Sequence, residues 1–445
     1  MEITIKRGLD LRIAGGIADN AAVSISSSDV AVFPEDFTGF TPKADIKAGD
    51  SVSVGSPLLR DKFFPELKLT SPVSGIVTEV VRGERRRIVC VKVASDGKNT
   101  PVIFALPRRD EAGHLLELLS LSGLLALVRR RPFDIVARPD DNVRDIFVTG
   151  FDSAPLAPLP AYGEDDVRFM GVAVKALRLL ANEHIYIARR PNQQLPDIPG
   201  AVMIDVTGPH PAGNTSVQIA AVSPVNKGET VWTMSADTLV RIGRLLSTGR
   251  VDWSTRVALT GSMVASPVMV DTVAGASVAE IIEGRLSDDP HSRRIISGNV
   301  LTGVKIASDG YLRFPYTHIT VIPEGDDVDE FMGWASMNPK KYSVKKTFPA
   351  FLTGLKHPFS FDARIKGGHR AMIMSGEYDK VFPFDIYPEY LLKAIFAKDI
   401  EKMEQLGIYE VAPEDFALPE FVDTSKIELQ KAVREGLDYL RKETL

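Results

Sequence analysis

One short stretch has the residue types and spacing that suit chemistry. Gly208-Pro209-His210-Pro211-Ala212-Gly213 follows the apolar run Ala201-Val202-Met203-Ile204. Its two prolines fix φ and remove two backbone donors, and its glycines can take positive φ. A strand that ends in such a turn in an α/β protein sits where ligands bind. His210 is the one histidine placed to act as acid, base or ligand, although a stiff Gly/Pro turn also serves as plain punctuation. Residues 217–222 read as the strand that resumes after it.

Other catalytic patterns are missing from the sequence. The seven histidines are scattered with no H-E-x-x-H, and no G-x-S-x-G occurs. No G-x-G-x-x-G follows a strand and no G-x-x-x-x-G-K-[ST] is present, so a phosphate cradle is lacking. The carboxylate pairs Asp165-Asp166, Asp288-Asp289 and Asp326-Asp327 sit at turn or cap positions and read as solvated or capping. The single cysteine, Cys90, excludes an internal disulfide. It also excludes a thiolate-held iron–sulfur cluster built from this chain alone, which takes four ligands. No catalytic, cofactor-binding or metal residue is assigned.

The elements that would position such a site alternate over much of the chain. Its 445 residues suggest about three domains. With 44% hydrophobic and 25% charged residues and a net charge of −5, a nucleic-acid role has no support. The basic run Arg82 to Arg87 reads as a solvated hairpin tip. No apolar run reaches a membrane span and the N-terminus lacks a signal-peptide core, so a soluble cytoplasmic chain is expected.

Residues 1–104 read as β. Residues 105–250 open with a leucine-rich helix carrying Leu115, Leu118, Leu119, Leu124 and Leu127, with Arg129-Arg130-Arg131 at its negative end and Pro132 as its stop. Strand and helix then alternate: strands at 146–149, 184–188 and 201–206, a helix capped by Asp165 or Asp166, and another capped by Ser235. The pattern is Rossmann-like without its cofactor loop. Residues 251–330 read as a β-grasp module in which Ser277 and Glu280 form a capping box. Residues 331–445 are irregular, then helical, with a second box at Ser425 and Glu428. Val433, Leu437 and Leu440 stripe the last helix. The stretch from Phe331 to Phe361 holds Trp334, Tyr342, Phe348, Phe351 and Phe359 beside Lys340, Lys341, Lys345 and Lys346, which suggests a docking surface.

Two resemblances add to this. Ala48 to Leu59 and Ser71 to Val77 resemble the two halves of a biotinyl/lipoyl-type β-sandwich, with Asp61-Lys62 between them. Lys62 lies ten residues before Pro72 and is followed by Phe63-Phe64, so the sandwich is expected as an unmodified scaffold. Over nearly its whole length the chain resembles the A-subunit family of sodium-translocating NADH:quinone oxidoreductases. The resemblance rests on Lys6 to Gly16, Arg131-Pro132-Phe133, Ile146 to Thr149 with Asp152 and Pro155-Leu156, and Gly208 to Gly213. It continues in Gly228 to Thr233, Arg370-Ala371-Met372 and Asp385 to Pro388.

The resemblance implies an α/β multidomain protein. It would comprise a biotinyl/lipoyl-like β domain, a Rossmann-like domain, an SLBB-like β-grasp module and a helical C-terminal region. It implies a peripheral subunit of a six-subunit respiratory translocase at the cytoplasmic face of the bacterial inner membrane. That complex passes electrons from NADH to ubiquinone and exports Na⁺, with flavins and iron–sulfur centres on other subunits. Where cofactor-bearing relatives of similar architecture have a glycine-rich flavin loop, this chain has 122–128, read as a plain helix. Many family members follow the HPAG turn with a histidine, whereas this chain has Asn214 to Ile219, so no quinone or proton role is carried over. The competing readings are a free-standing flavin or NAD enzyme and a lipoyl or biotin carrier.

Overall fold

The N-terminal β region folds around two small sheets. Strands Asp29–Val32, Ile88–Ser95, Gly75–Arg82 and Ser51–Val52 form one, and Pro42–Ala44, Pro57–Asp61 and Lys68–Thr70 the other. Val30, Leu58, Leu59, Val77, Val91 and Val93 fill the space between them and are fully buried. The 82–87 run is the exposed tip joining the two long strands. The structure is a computed structural model that describes residues 1–19, 21–106, 111–326, 341–346, 348–353 and 357–444.

The leucine-rich helix is shorter than its composition suggests. Helix α1 spans Ala112–Leu121 and buries Leu115, Leu118 and Leu119. Gly123 then turns at φ +83°, and residues 125–127 form one tight turn. Arg129–Arg131 is therefore a strand and does not neutralise a helix end; it pairs antiparallel with Val231–Ser235. The stretch 122–128 is likewise not a plain helix.

A seven-stranded sheet organises the centre. Its order is Glu2–Thr4, Val202–Thr207, Ile185–Arg189, Asp145–Thr149, Val231–Ser235, Arg129–Arg131 and Ile135–Val136. The first five strands are parallel and the last two antiparallel. Alternate strand residues point to opposite faces. Ile146 and Val148 join the core under helices α2 (Glu164–Leu177) and, later in the chain, α4 (Ala236–Thr248). Phe147, on the other face, joins a core with helix α3 (Thr215–Val222) and the C-terminal region. Both faces are thus covered, as a parallel sheet requires. Asp166 accepts the Gly163 N–H at 3.0 Å to open α2, and Ser235 caps α4 through Thr238 N at 3.2 Å.

Residues 215–222 are helix α3, not the strand that their apolar run suggests. Thr215 to Ile219 are buried on every side, so no period distinguishes the two states in a run this short.

A fourth sheet runs Val304–Ile306, Arg293–Ser297, His318–Pro323, Ser254–Thr260, Val268–Val273 and Ala22–Ser24, with the short helix α5 (Val278–Ile282) against it. The first 24 residues therefore tie the chain together, adding one edge strand to the central sheet and one to this sheet. Ser277 makes no cap. Glu280 instead binds Ser27 Oγ at 2.7 Å and Ser28 Oγ at 2.6 Å across the module boundary.

Helices α6 (Pro388–Ala397), α7 (Ile400–Gln405), α8 (Ala417–Val422) and α9 (Leu429–Thr444) complete the chain, with Val433, Leu437 and Leu440 fully buried. Ser425 is no helix cap either; its hydroxyl donates to Ala371 O at 2.9 Å. Of the aromatic and basic stretch expected to dock, Phe331, Trp334 and Lys340 lie outside the described residues. Phe348 and Phe359 are buried, Tyr342 packs on Phe359, Phe361 and Phe421, and Lys345 pairs with Glu377 at 3.6 Å. These rings fill the protein's own core, and Phe351 is the one among them that is exposed.

Candidate functional site

The Gly208–Gly213 turn does leave the carboxyl end of a central parallel strand. Gly208 has φ +117°, and a Cβ there would lie 2.1 Å from Ile5 O, so only glycine lets the first strand approach. His210 is 4% exposed. Its backbone N–H donates to Asp10 Oδ1 at 2.8 Å, and its carbonyl accepts from Leu9 N at 2.8 Å. Ser153 Oγ accepts from Gly213 N at 2.8 Å and shares a hydrogen bond with His210 Nδ1 at 3.0 Å. The other ring nitrogen, Nε2, has no hydrogen-bond partner among the described residues. Burial holds the His210 pKa below its usual value against the opposing pull of Asp152 and Asp10. A neutral histidine locked in place ties residues 8–10 to the sheet, which is a structural role.

A cleft of about 1310 Å³ opens at the carboxyl ends of the neighbouring strands. It lies where the central chain path reverses. From Asp145–Thr149 the chain goes through α2 to a neighbour on one side, and through α3 it later reaches Val231–Ser235 on the other. Ligands of open α/β sheets bind at that position. Asp152, Tyr162, Asp237, Arg241, Trp253 and His318 line it.

It lacks the phosphate cradle of a dinucleotide site. The loop 150–163 carries three prolines and supplies no glycine cradle. The first turn of α4 presents Asp237, whose charge opposes a phosphate at the positive helix end. The Asp237 carboxyl stands open to cleft water yet is walled in by protein, and this enclosure raises its pKa. Arg241 donates to Ser254 O at 2.8 Å and lies 5.9 Å from the Trp253 ring, while Arg256 is held by Asp271 at 2.6 and 3.0 Å. His318 is buried with Nε2 unpartnered, and burial lowers its pKa.

The other candidates resolve as follows. Asp166 caps α2 and Asp289 accepts from His291 N at 3.0 Å within a turn, whereas Asp326 accepts from Ser292 Oγ at 2.8 Å, a residue distant in the chain, and Asp327 lies outside the described residues. Lys62 sits at an exposed hairpin tip beside Phe63, which is 68% exposed. Asp61 sets that tip by accepting from Thr41, Phe63 and Phe64 N–H groups at 2.5, 2.7 and 3.0 Å.

Three family models match this chain in order. They are the NqrA N-terminal barrel-sandwich hybrid domain over residues 3–96, the NqrA second alpha/beta domain over 111–251, and the NQRA C-terminal domain over 256–308. The A subunit of the Na(+)-translocating NADH-quinone reductase of Rhodopirellula baltica is 33% identical over 99% of this chain and 98% of its own. Its counterpart in Serratia proteamaculans is 34% identical, and that in Neisseria meningitidis serogroup C 35%, each over 99% of this chain and 100% of theirs. The chain belongs to the NqrA family, the A subunits of Na(+)-translocating NADH-quinone reductases.

To this NqrA family member the NAD⁺-reducing [NiFe]-hydrogenase bears only a loose likeness: TM-score 0.37 and 12% identity, over 75% of this chain and 61% of that one. Among the described residues one group, Asp145, Glu183 and His184, brings three metal-type ligands together. Asp145 is already taken by Arg144 Nε at 2.8 Å and His184 N at 3.0 Å, which leaves it a poor ligand. Cys90 is buried, and burial pushes its thiol pKa up, away from the reactive thiolate. The purified NqrA-family chain is therefore expected to be colourless. A stoichiometric flavin or iron–sulfur band in its visible spectrum contradicts this. Intact mass from the native host is expected to show Lys62 unmodified; a lipoyl or biotinyl increment there refutes the scaffold reading.

One cluster gave no signal in the sequence. Arg131, 4% exposed, lies 3.7 Å from Asp134 and 3.3 Å from Glu414, and Asn214 donates to Asp415 at 3.2 Å. It locks the C-terminal region onto the sheet. Its partners stand 283 residues apart along the chain, beyond any local pattern.

Proposed function

We propose that the chain is a peripheral subunit of a membrane-bound Na⁺ pump that passes electrons from NADH to ubiquinone, docked at the cytoplasmic face of the bacterial inner membrane. Its partners are the other subunits of a six-subunit complex, which carry the flavins and iron–sulfur centres. Its own role is structural and docking, with no catalytic, cofactor-binding or metal residue, and a quinone-associated role is part of the proposal without assigned residues. The division proposed is 1–104 biotinyl/lipoyl-like, 105–250 Rossmann-like, 251–330 SLBB-like β-grasp and 331–445 C-terminal.

The observation that carries this reading is full-length identity of about one third to subunits bearing that name. Two features support it. No helix among the described residues is long and apolar enough to cross a membrane. At the sheet's carboxyl ends the loop 150–163 forms no glycine cradle, and Asp237 stands in the first turn of α4. Deleting the gene tests the proposal: membranes should lose Na⁺-stimulated NADH:quinone reduction and regain it on complementation. Unchanged Na⁺-stimulated activity in the deletion strain refutes it.

A further inference from the structure

The cleft at the carboxyl ends of the central strands has three walls. Loop 150–163 and helix α4 form one, the strands Ser254–Thr260 and Val268–Val273 a second, and Val54, Pro72 and Val73 of the N-terminal region a third. Small-molecule sites favour such junctions between domains. The charged residues lining it are Asp152, Asp166, Asp237, Asp252 and Asp271 against Arg241, Arg244, Arg250 and Arg256. Most of them are already satisfied. Arg244 pairs with Asp252 and lies 3.8 Å from Asp166, and Arg256 forks onto Asp271. Asp152 accepts from Ala154 N at 2.7 Å, and Arg250 is exposed to solvent.

Asp237 and Arg241 are left over. They stand one helical turn apart on α4, the spacing at which an acid followed by a base ordinarily pairs. Here they do not meet. Among the described residues the Asp237 carboxyl makes no hydrogen bond and no ion pair, although protein walls it in. The Arg241 guanidinium is drawn aside, to Ser254 O at 2.8 Å and to within 5.9 Å of the Trp253 ring. Trp253 adds a donor of its own. It is 7% exposed, lines the cleft, and its indole N–H has no partner. Native proteins rarely leave buried polar groups unpaired, so this one calls for an explanation.

The signs of the free groups select the ligand. An anion would meet Arg241 but be repelled by Asp237, and a cation would meet the reverse. A molecule carrying an ammonium and a carboxylate a few ångströms apart satisfies both and brings an acceptor to the side where the Trp253 donor lies. Tyr162, Val240, Val251 and Pro160 give the rest of such a molecule apolar surface. We propose that this cleft binds a zwitterion of the α-amino acid class, its ammonium on Asp237 and its carboxylate on Arg241. This goes beyond the subunit's proposed place in a complex and does not depend on it.

The test is calorimetric titration of the full-length chain with each of the twenty standard amino acids. At least one should bind with a dissociation constant of about 1 mM or tighter. For that amino acid, Asp237→Asn and Arg241→Gln should each weaken binding at least about tenfold while melting like wild type. Its two single-charge analogues, the amine without the carboxylate and the acid without the amino group, should each bind wild type at least about tenfold more weakly than the parent. The analogues need no substitution, so they decide the matter even where a variant fails to fold. The proposal is wrong if no amino acid binds, if either analogue binds as tightly as the parent, or if either folded variant binds as tightly as wild type.

Discussion

Replacing Arg131 by methionine is expected to cost about 3–5 kcal/mol of folding stability, because one partner is removed from a buried ion cluster while the carboxylates remain. Arg131 contributes most of the attraction that holds the Asp134 carboxyl down at about 2 against its burial, with Arg129 and Arg434 assisting. Without it, Asp134 and Asp415 are left without their main cation and the segment before α8 loses its ion pair to the sheet, while Arg434 of α9 still donates to the Phe133 and Asp134 carbonyls. Urea unfolding followed by circular dichroism reads the loss. A cost below about 1 kcal/mol would show the cluster to be solvated, in the range of surface pairs.

The same cluster gives a pH dependence. The protein walls in the Glu414 carboxyl although its side chain is still 43% exposed, and this enclosure raises it to about 7, with Asp415 and Asp134 adding to the shift and Arg131 opposing it. A carboxyl raised in the folded state contributes stability below its unfolded pKa and loses it as pH rises through the folded value. Stability should therefore decline between about pH 4.5 and 7, and Glu414→Gln should flatten that slope. Asp134 works in the opposite sense. Its contribution is present above the ordinary carboxylate pKa and is lost only as pH falls towards about 2. An unchanged slope in the Gln variant would place the titration elsewhere.

The second large effect is expected at Gly243. Helices α2 and α4 cross so closely there that a Cβ would lie 1.8 Å from Phe169 O. Both helices are seated on the same sheet face, so neither can withdraw without uncovering Ile146 and Val148. Gly243→Val should cost about 3 kcal/mol through overpacking against backbone. Gly171→Ala in α2, where nothing lies within 4 Å of the added methyl, should instead stabilise by about 0.5–1 kcal/mol. Thermal melts of the two variants should shift in opposite directions. Equal shifts would mean that the helices do not approach at Gly243.

What was legible in the sequence follows the range of the physics involved. The central strands and α4 announced themselves through alternation, caps and periodicity, which act over a few residues. Residues 217–222 misled because the buried run Thr215 to Ile219 shows no helical period. Arg129 to Arg131 misled because pairing with a strand about a hundred residues away overrode a local charge argument. The two expected capping boxes failed for a similar reason: Glu280 was drawn to Ser27 and Ser28, and Ser425 to Ala371. The aromatic stretch after residue 340 looked like a surface because composition does not show which rings meet. Tyr342 and Phe359 turned inward.

The central claim is that this chain works as a cofactor-free subunit of a Na⁺-pumping NADH:quinone reductase. The most direct measurement is affinity isolation through a tag on this chain from gently solubilised native membranes, followed by assay of the eluate. The account predicts that the chain elutes in fixed stoichiometry with other subunits, and that the eluate oxidises NADH with quinone at a rate stimulated by Na⁺. A chain that elutes alone, from membranes whose Na⁺-stimulated activity stays in the flow-through, would contradict it.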